Sequence, residues 1–193
     1  MTKWLSHRMV ERGIIKEEEQ ELYQFGIRNG MILLLNVVTA LVIGLLTEQL
    51  AVVAVFTLSF MVLRSYTGGY HSDSRIFCYL GSNLVLLVPV YTQAVFYKTS
   101  LACLLAVLLV SAGIIFLLSP MHSKNRKLDK EEQKHFGRKA RLIAALELAV
   151  LGILWHAGQI PYAYAVYTGI CITALFMLVG KAQLWIQSHT ENG

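Results

Sequence analysis

Charge is scarce in this sequence. Asp, Glu, Lys and Arg make up 15% of its 193 residues, where a soluble domain carries about 25%. That shortage excludes an ordinary water-facing surface. Cysteine is limited to Cys78, Cys103 and Cys171, an odd number with no two close together. No CxxC or CxxH pattern occurs, so neither a zinc site nor a disulfide framework is expected. P-loop and HExxH stretches are also missing, which removes the usual signatures of nucleotide- or metal-driven chemistry, and no cofactor or metal is expected. Residues 1–29 have no apolar core followed by small residues, so no cleavable signal peptide is expected. No internal repeat and no low-complexity tract is present.

What fills the chain is apolar sequence, 55% of the residues. It comes in long blocks and not at the three-four spacing of surface helices. The pattern is that of an all-α polytopic membrane bundle, in which helices satisfy their own backbone polar groups. A single integral membrane domain over residues 1–193 is expected. Within it, residues 30–186 form the bundle.

Residues 1–29 mix Trp4, Leu5, Met9, Val10, Ile14 and Ile15 with Lys3, Arg8, Arg12 and Lys16. An amphipathic helix in the headgroup region fits this mixture, and so does a solvated helix. Gly13 is expected to break or bend it. Glu17-Glu18-Glu19 suits the first turn of a second helix, near its positive dipole end. Spans are then expected over 31–46, 50–63, 76–96, 101–118, 142–157 and 162–180. The second is only 14 residues long, and a hydrocarbon core of roughly 30 Å needs about 20. Either the helix continues through Tyr66, or it ends early at a recessed surface. Pro89 predicts a kink in the third span. Ser119-Pro120 stops the fourth. Residues 120–141 read as the largest polar loop. Asn36, Asn83 and Gln93 read as interhelical hydrogen bonders, and Cys103 and Cys171 as small packed hydrophobes.

Loop charges then set orientation. With six spans, 16 of the 17 Lys and Arg fall on one face and only Lys98 on the other. Both termini are therefore expected on the cytoplasmic side of the cell membrane, together with the stretch 64–78.

That stretch, a Gly-Gly-containing polar interruption between apolar runs, holds His71 and Cys78. A thiol reacts as thiolate, and a free cysteine has a pKa of about 8.5. A neighbouring imidazole takes its proton and returns it to a leaving amine. The two groups must touch. In a continuous helix seven residues rise about 10.5 Å, so His71 must leave the helix. Gly68-Gly69 supplies the backbone for that turn. Cys78 is then expected in the first turns of the third helix, whose positive end lowers a thiol pKa. An ordinary loop histidine beside a packed cysteine is the plainer alternative.

Arg64-x-Tyr66-x-Gly68-Gly69-Tyr70-His71, followed by Cys78, resembles the signature of accessory gene regulator B (AgrB) proteins. Ser119-Pro120-x-x-x-Lys124-Asn125-Arg126-Lys127 is similar to that family's second recurring stretch. Lys127 stands where the family has a proline, a departure that bears on the loop and not on the dyad. The resemblance covers nearly the whole chain. It implies a quorum-sensing cysteine endopeptidase that removes the C-terminal tail of a small precursor peptide through a thioester on Cys78, with His71 as general base and acid. A Cys or Ser within the peptide then closes a thiolactone or lactone ring.

Other residues stay open. Asp73 orients the imidazole or is an exposed loop carboxylate. Arg64 and Arg75 are candidate oxyanion donors, beside backbone N–H groups of the third helix; Arg64 equally suits a headgroup anchor. Glu147, inside the fifth span, faces the bundle interior and meets the active site or a basic loop residue, or else it snorkels or is protonated. Lys124, Arg126 and Lys127 suit anionic lipid. The resemblance adds a second role for them, contact with the acidic tail of a precursor whose N-terminal segment is amphipathic. The expected partners are that peptide and the bilayer, with no nucleic acid, and the apolar faces of six short helices leave room for a homodimer. A non-catalytic peptide carrier or scaffold is the competing function; it requires that Cys78 tolerate Ala.

Overall fold

The computed structural model describes residues 2–68, 75–121 and 130–190. The described residues are helical throughout, with short turns and no strand among them. Two compact units divide the chain, residues 1–39 and 40–193.

The first unit contains α1 (Thr2–Glu11) and a single 3-10 turn (Glu17–Glu19) that leads into α2 (Gln20–Leu46). α1 stops where Gly13 takes a φ of +66°, as the sequence predicts. Its charges pair locally: the Arg8 guanidinium lies 5.2 Å from the Trp4 ring, and His7 and Arg8 both approach Glu11. The Glu19 carboxylate accepts from the Lys16 N–H at 3.3 Å, closing the first turn from below.

The second unit takes the end of α2 from Ala40 onward. It continues with α3 (Leu50–Thr67), α4 (Arg75–Tyr91), α5 (Gln93–Lys98), α6 (Leu101–Leu118), α7 (Lys130–His156) and α8 (Ile160–Thr190). The last helix is the hub: α3, α6 and α7 all pack on it. Of its apolar window 67% is buried, against 33% for α3 and 17% for α6. Small residues make this possible. Ala163, Ala165, Gly169 and Ala174 let neighbouring backbones come close. A Cβ on Gly169 would lie 2.6 Å from Ser59 Oγ on α3. One core cluster gathers Val53, Phe56, Leu86, Phe96 and Tyr164; a second gathers Leu63, Ile115, Ile170 and Met177.

Among the described residues four helical stretches are long and apolar enough to cross a membrane: Glu17–Leu46, Leu50–Thr67, Leu101–Leu118 and Ile160–Ile186. The other two expected spans differ from the sequence expectation. The third is interrupted. α4 runs through Pro89 to Tyr91, the chain bends at Thr92, and α5 follows. Proline supplies no N–H, which weakens the ladder locally. Thr92 takes over at the bend, donating its hydroxyl to Val88 O at 2.8 Å and meeting Tyr164 OH at 2.6 Å. The fifth begins earlier than expected. Residues 130–141, expected within the polar loop 120–141, form the first three turns of α7. Their charges alternate with Gln133, Phe136, Gly137, Ala140 and Ala144, which lie on one helical face and are at least partly buried.

The polar residues expected between helices are placed otherwise. Gln93 donates to Tyr97 OH at 3.5 Å within its own helix. The side-chain oxygens of Asn36 and Asn83 are buried without a hydrogen-bond partner. Cys103 is exposed, at odds with the expected packing, and Cys171 is half-buried.

Candidate active site

α3 ends at Thr67, past Tyr66, so the longer of the two lengths the sequence allows is the one formed. Gly68 then turns the chain out of the helix with φ +71° and ψ −150°, a conformation that suits glycine. Arg64, one turn back, closes the helix end. Its Nη1 donates to Gly68 O at 2.9 Å, and the guanidinium sits 4.9 Å from the Phe176 ring of α8. A cation at a helix C-terminus is favoured by the dipole and by the unpaired carbonyls there. Arg64 is thus held at the root of the loop, pointed at backbone.

Re-entry into helix occurs at Arg75, and Cys78 is the fourth residue of α4, in its first turn. This is where the sequence places it. The remaining sequence candidates Gly69, His71 and Asp73 lie outside the described residues, as do Lys124, Arg126 and Lys127. Of Arg75 and Cys78 the helical backbone is described.

Around Gly68 the structure brings together parts that the sequence did not connect. Met121, just after α6, donates its backbone N–H to Thr67 O at 2.9 Å. The contact is close enough that a Cβ on Gly68 would lie 2.6 Å from Met121 O. On its other side the same turn rests on α7: a Cβ on Gly137 would lie 2.9 Å from the Pro120 ring and 3.4 Å from Ser119 O. Tyr66 packs toward Phe136 with ring centroids 6.3 Å apart, and Lys139 Nζ lies 5.9 Å from the Tyr66 ring. Arg141 Nε donates to Phe116 O, covering a carbonyl near the end of α6. Thr67 and Ala140 are fully buried in this knot. The only hints in the sequence were Gly68, Pro120 and Gly137, residues that permit backbones to touch.

Glu147 is inside the bundle. Its Oε2 accepts from Ser59 Oγ at 2.8 Å, joining α7 to α3. Ser59 precedes Gly68 by nine residues, about 13 Å of helix. Among the described residues Glu147 thus serves a helix contact within the bundle. Cys103 lies near the start of α6, 16 residues or about 24 Å of helix from Ser119. Among the described residues no three His, Cys, Asp or Glu gather as a metal site would require.

The comparisons with known proteins agree on one family. The family model described as accessory gene regulator B matches residues 1–178. An AgrB-like protein of Clostridium perfringens strain SM101 is 23% identical over 148 residues, which is 74% of this chain and 69% of that protein. Accessory gene regulator protein B of Staphylococcus intermedius is 26% identical over 156 residues, 79% of this chain and 80% of that protein. A second AgrB-like protein, from Clostridium perfringens strain 13, is 24% identical over 131 residues, covering 65% of this chain and 61% of its own length. No solved structure matches the chain.

Proposed function

Because the chain belongs to the accessory gene regulator B family, we propose that it is a membrane cysteine endopeptidase that matures a quorum-sensing peptide. Cys78 is the nucleophile and His71 the general base and acid. The imidazole takes the thiol proton, and sulfur attacks the carbonyl carbon of the scissile peptide bond. Collapse of the tetrahedral intermediate breaks the C–N bond. His71 returns the proton to the departing amine, and the C-terminal tail leaves. The rest of the precursor remains as a thioester on Cys78. A Cys or Ser side chain within the peptide then attacks that thioester, closing the ring and releasing the Cys78 thiol.

One observation carries this reading. The match over residues 1–178 includes the whole Gly68-Gly69-Tyr70-His71 to Cys78 stretch. The placement of Cys78 in the first turn of α4 supports it, because the positive end of a helix favours the thiolate. Six spans, an α1 lying at the headgroup surface and cytoplasmic termini complete the proposal. Lys124, Arg126 and Lys127 would take the acidic tail of the precursor.

The test is proteolysis in liposomes. Wild type, Cys78→Ala, His71→Ala and the double variant Cys103→Ala/Cys171→Ala are mixed with the candidate precursor, and products are followed by mass spectrometry. Cleavage that needs only Cys78 and His71, with a peptide thioester trapped on Cys78, is the expected result. Cleavage by Cys78→Ala overturns the dyad and leaves a carrier. Charge reversal at Lys124, Arg126 and Lys127 is expected to raise KM for an acidic-tailed peptide; unchanged cleavage removes the tail contact.

A further inference from the structure

The stretch that contains His71 has six residues, 69–74, between Gly68 and Arg75. Six residues reach about 20 Å when fully extended. The position of the imidazole relative to Cys78 therefore depends on where Gly68 is held and in which direction it leaves α3. Gly68 is held by backbone. The Met121 N–H binds the carbonyl just before it, and Met121 O lies where a side chain of residue 68 would begin. Met121 is in turn fixed because Pro120 lies against Gly137 of α7. Thr67 and Met121, 54 positions apart, thus meet where α3 and α6 end.

We propose that the turn formed by Ser119, Pro120 and Met121 is a positioning element for the His71–Cys78 pair. It is a backbone brace that fixes the exit of α3 through Thr67 and Gly68. The proposal rests on the peptidase reading above. It explains why glycine stands at both ends of the brace. A methyl group at 68 pushes Met121 away, and a methyl group at 137 pushes Pro120, so either change redirects the 69–74 segment without altering a group that takes part in the chemistry. The Met121 side chain is not required; its N–H is.

The experiment uses the full chain in liposomes with Cys103 and Cys171 replaced by Ala, so that Cys78 is the only thiol. Gly68→Ala, Gly137→Ala, Met121→Pro and Met121→Leu are compared with this parent. Three quantities are read: kcat and KM for the precursor, the pH profile of Cys78 alkylation by iodoacetamide, and the melting temperature. For the first three variants kcat is expected to fall about 10- to 100-fold with KM within about 2-fold, as for misplaced catalytic groups. The alkylation midpoint is expected to move toward about 8.5, that of a free thiol. Met121→Leu keeps the N–H and is expected to behave as the parent.

A kcat equal to the parent's in these variants overturns the proposal. So does a loss of kcat that only follows a loss of folded protein, with the alkylation profile unchanged. Gly137→Ala is the mildest change and decides the matter if Gly68→Ala or Met121→Pro does not fold. If the parent shows no Cys78-dependent cleavage, the peptidase reading fails. The alkylation profiles then judge the brace separately, and an unshifted midpoint in Gly137→Ala overturns it.

Discussion

Arg64 combines a charged hydrogen bond to Gly68 O with a cation–π contact to Phe176, and the two tie the end of α3 to α8. Replacing it by Ala is expected to cost about 1–3 kcal/mol through the lost charge-assisted bond. Arg64→Lys should recover only part of this, because ammonium lacks the planar face and the fork of donors. Thermal unfolding in detergent checks the order wild type, Lys, Ala. Gly169 gives a second prediction. A methyl there meets Ser59 Oγ at 2.6 Å, and overpacking of this kind costs about 1–3 kcal/mol. In a Ser59→Ala background the same change should cost less, since the obstructing oxygen is gone there. An equal cost of Gly169→Ala in both backgrounds would show that the clash lies elsewhere. Gly68 could be read in the sequence as a flexible turn residue, and its φ of +71° agrees. Its close contact with Met121 could not, because residue type hints that a backbone comes close to position 68 but does not say which one.

Among the elements, α3 and α7 are joined across the bundle by Ser59 and Glu147. Ser59→Ala is expected to lower stability by about 0.6–2 kcal/mol, the range for hydrogen bonds between membrane helices. Glu147→Gln should cost less, because its amide oxygen still accepts from the hydroxyl. Unfolding of the two variants under one condition tests this ranking. The apolar blocks made α3, α6 and α8 legible from sequence. α7 was harder. Eight basic residues between 124 and 141 dominate that region, and the helical face running from Gln133 through Phe136 and Ala140 to Ala144 is visible only when position is read with period. The break at Thr92 was displaced from the expected kink by three residues. A proline marks where the ladder is weak, while the Thr92–Tyr164 contact decides where the chain turns.

At the scale of the whole molecule, the charge asymmetry predicts sidedness. Single cysteines at Ser100 and Ser123, in a chain lacking the native three, should react with a membrane-impermeant maleimide from opposite sides. Ser123 is expected to label in inside-out vesicles and Ser100 in right-side-out ones. Labelling of both from one side would refute the six-span arrangement. The hub position of α8 has a further consequence, in time. A ribosome makes α3, α6 and α7 before it makes the helix on which all three pack, at about 5–20 residues per second. For several seconds the faces of those helices that meet α8 have no partner. Contacts such as Ser59–Glu147 join α3 to α7 without α8, whereas everything that rests on α8 forms last, so translation order runs against the largest part of the packing.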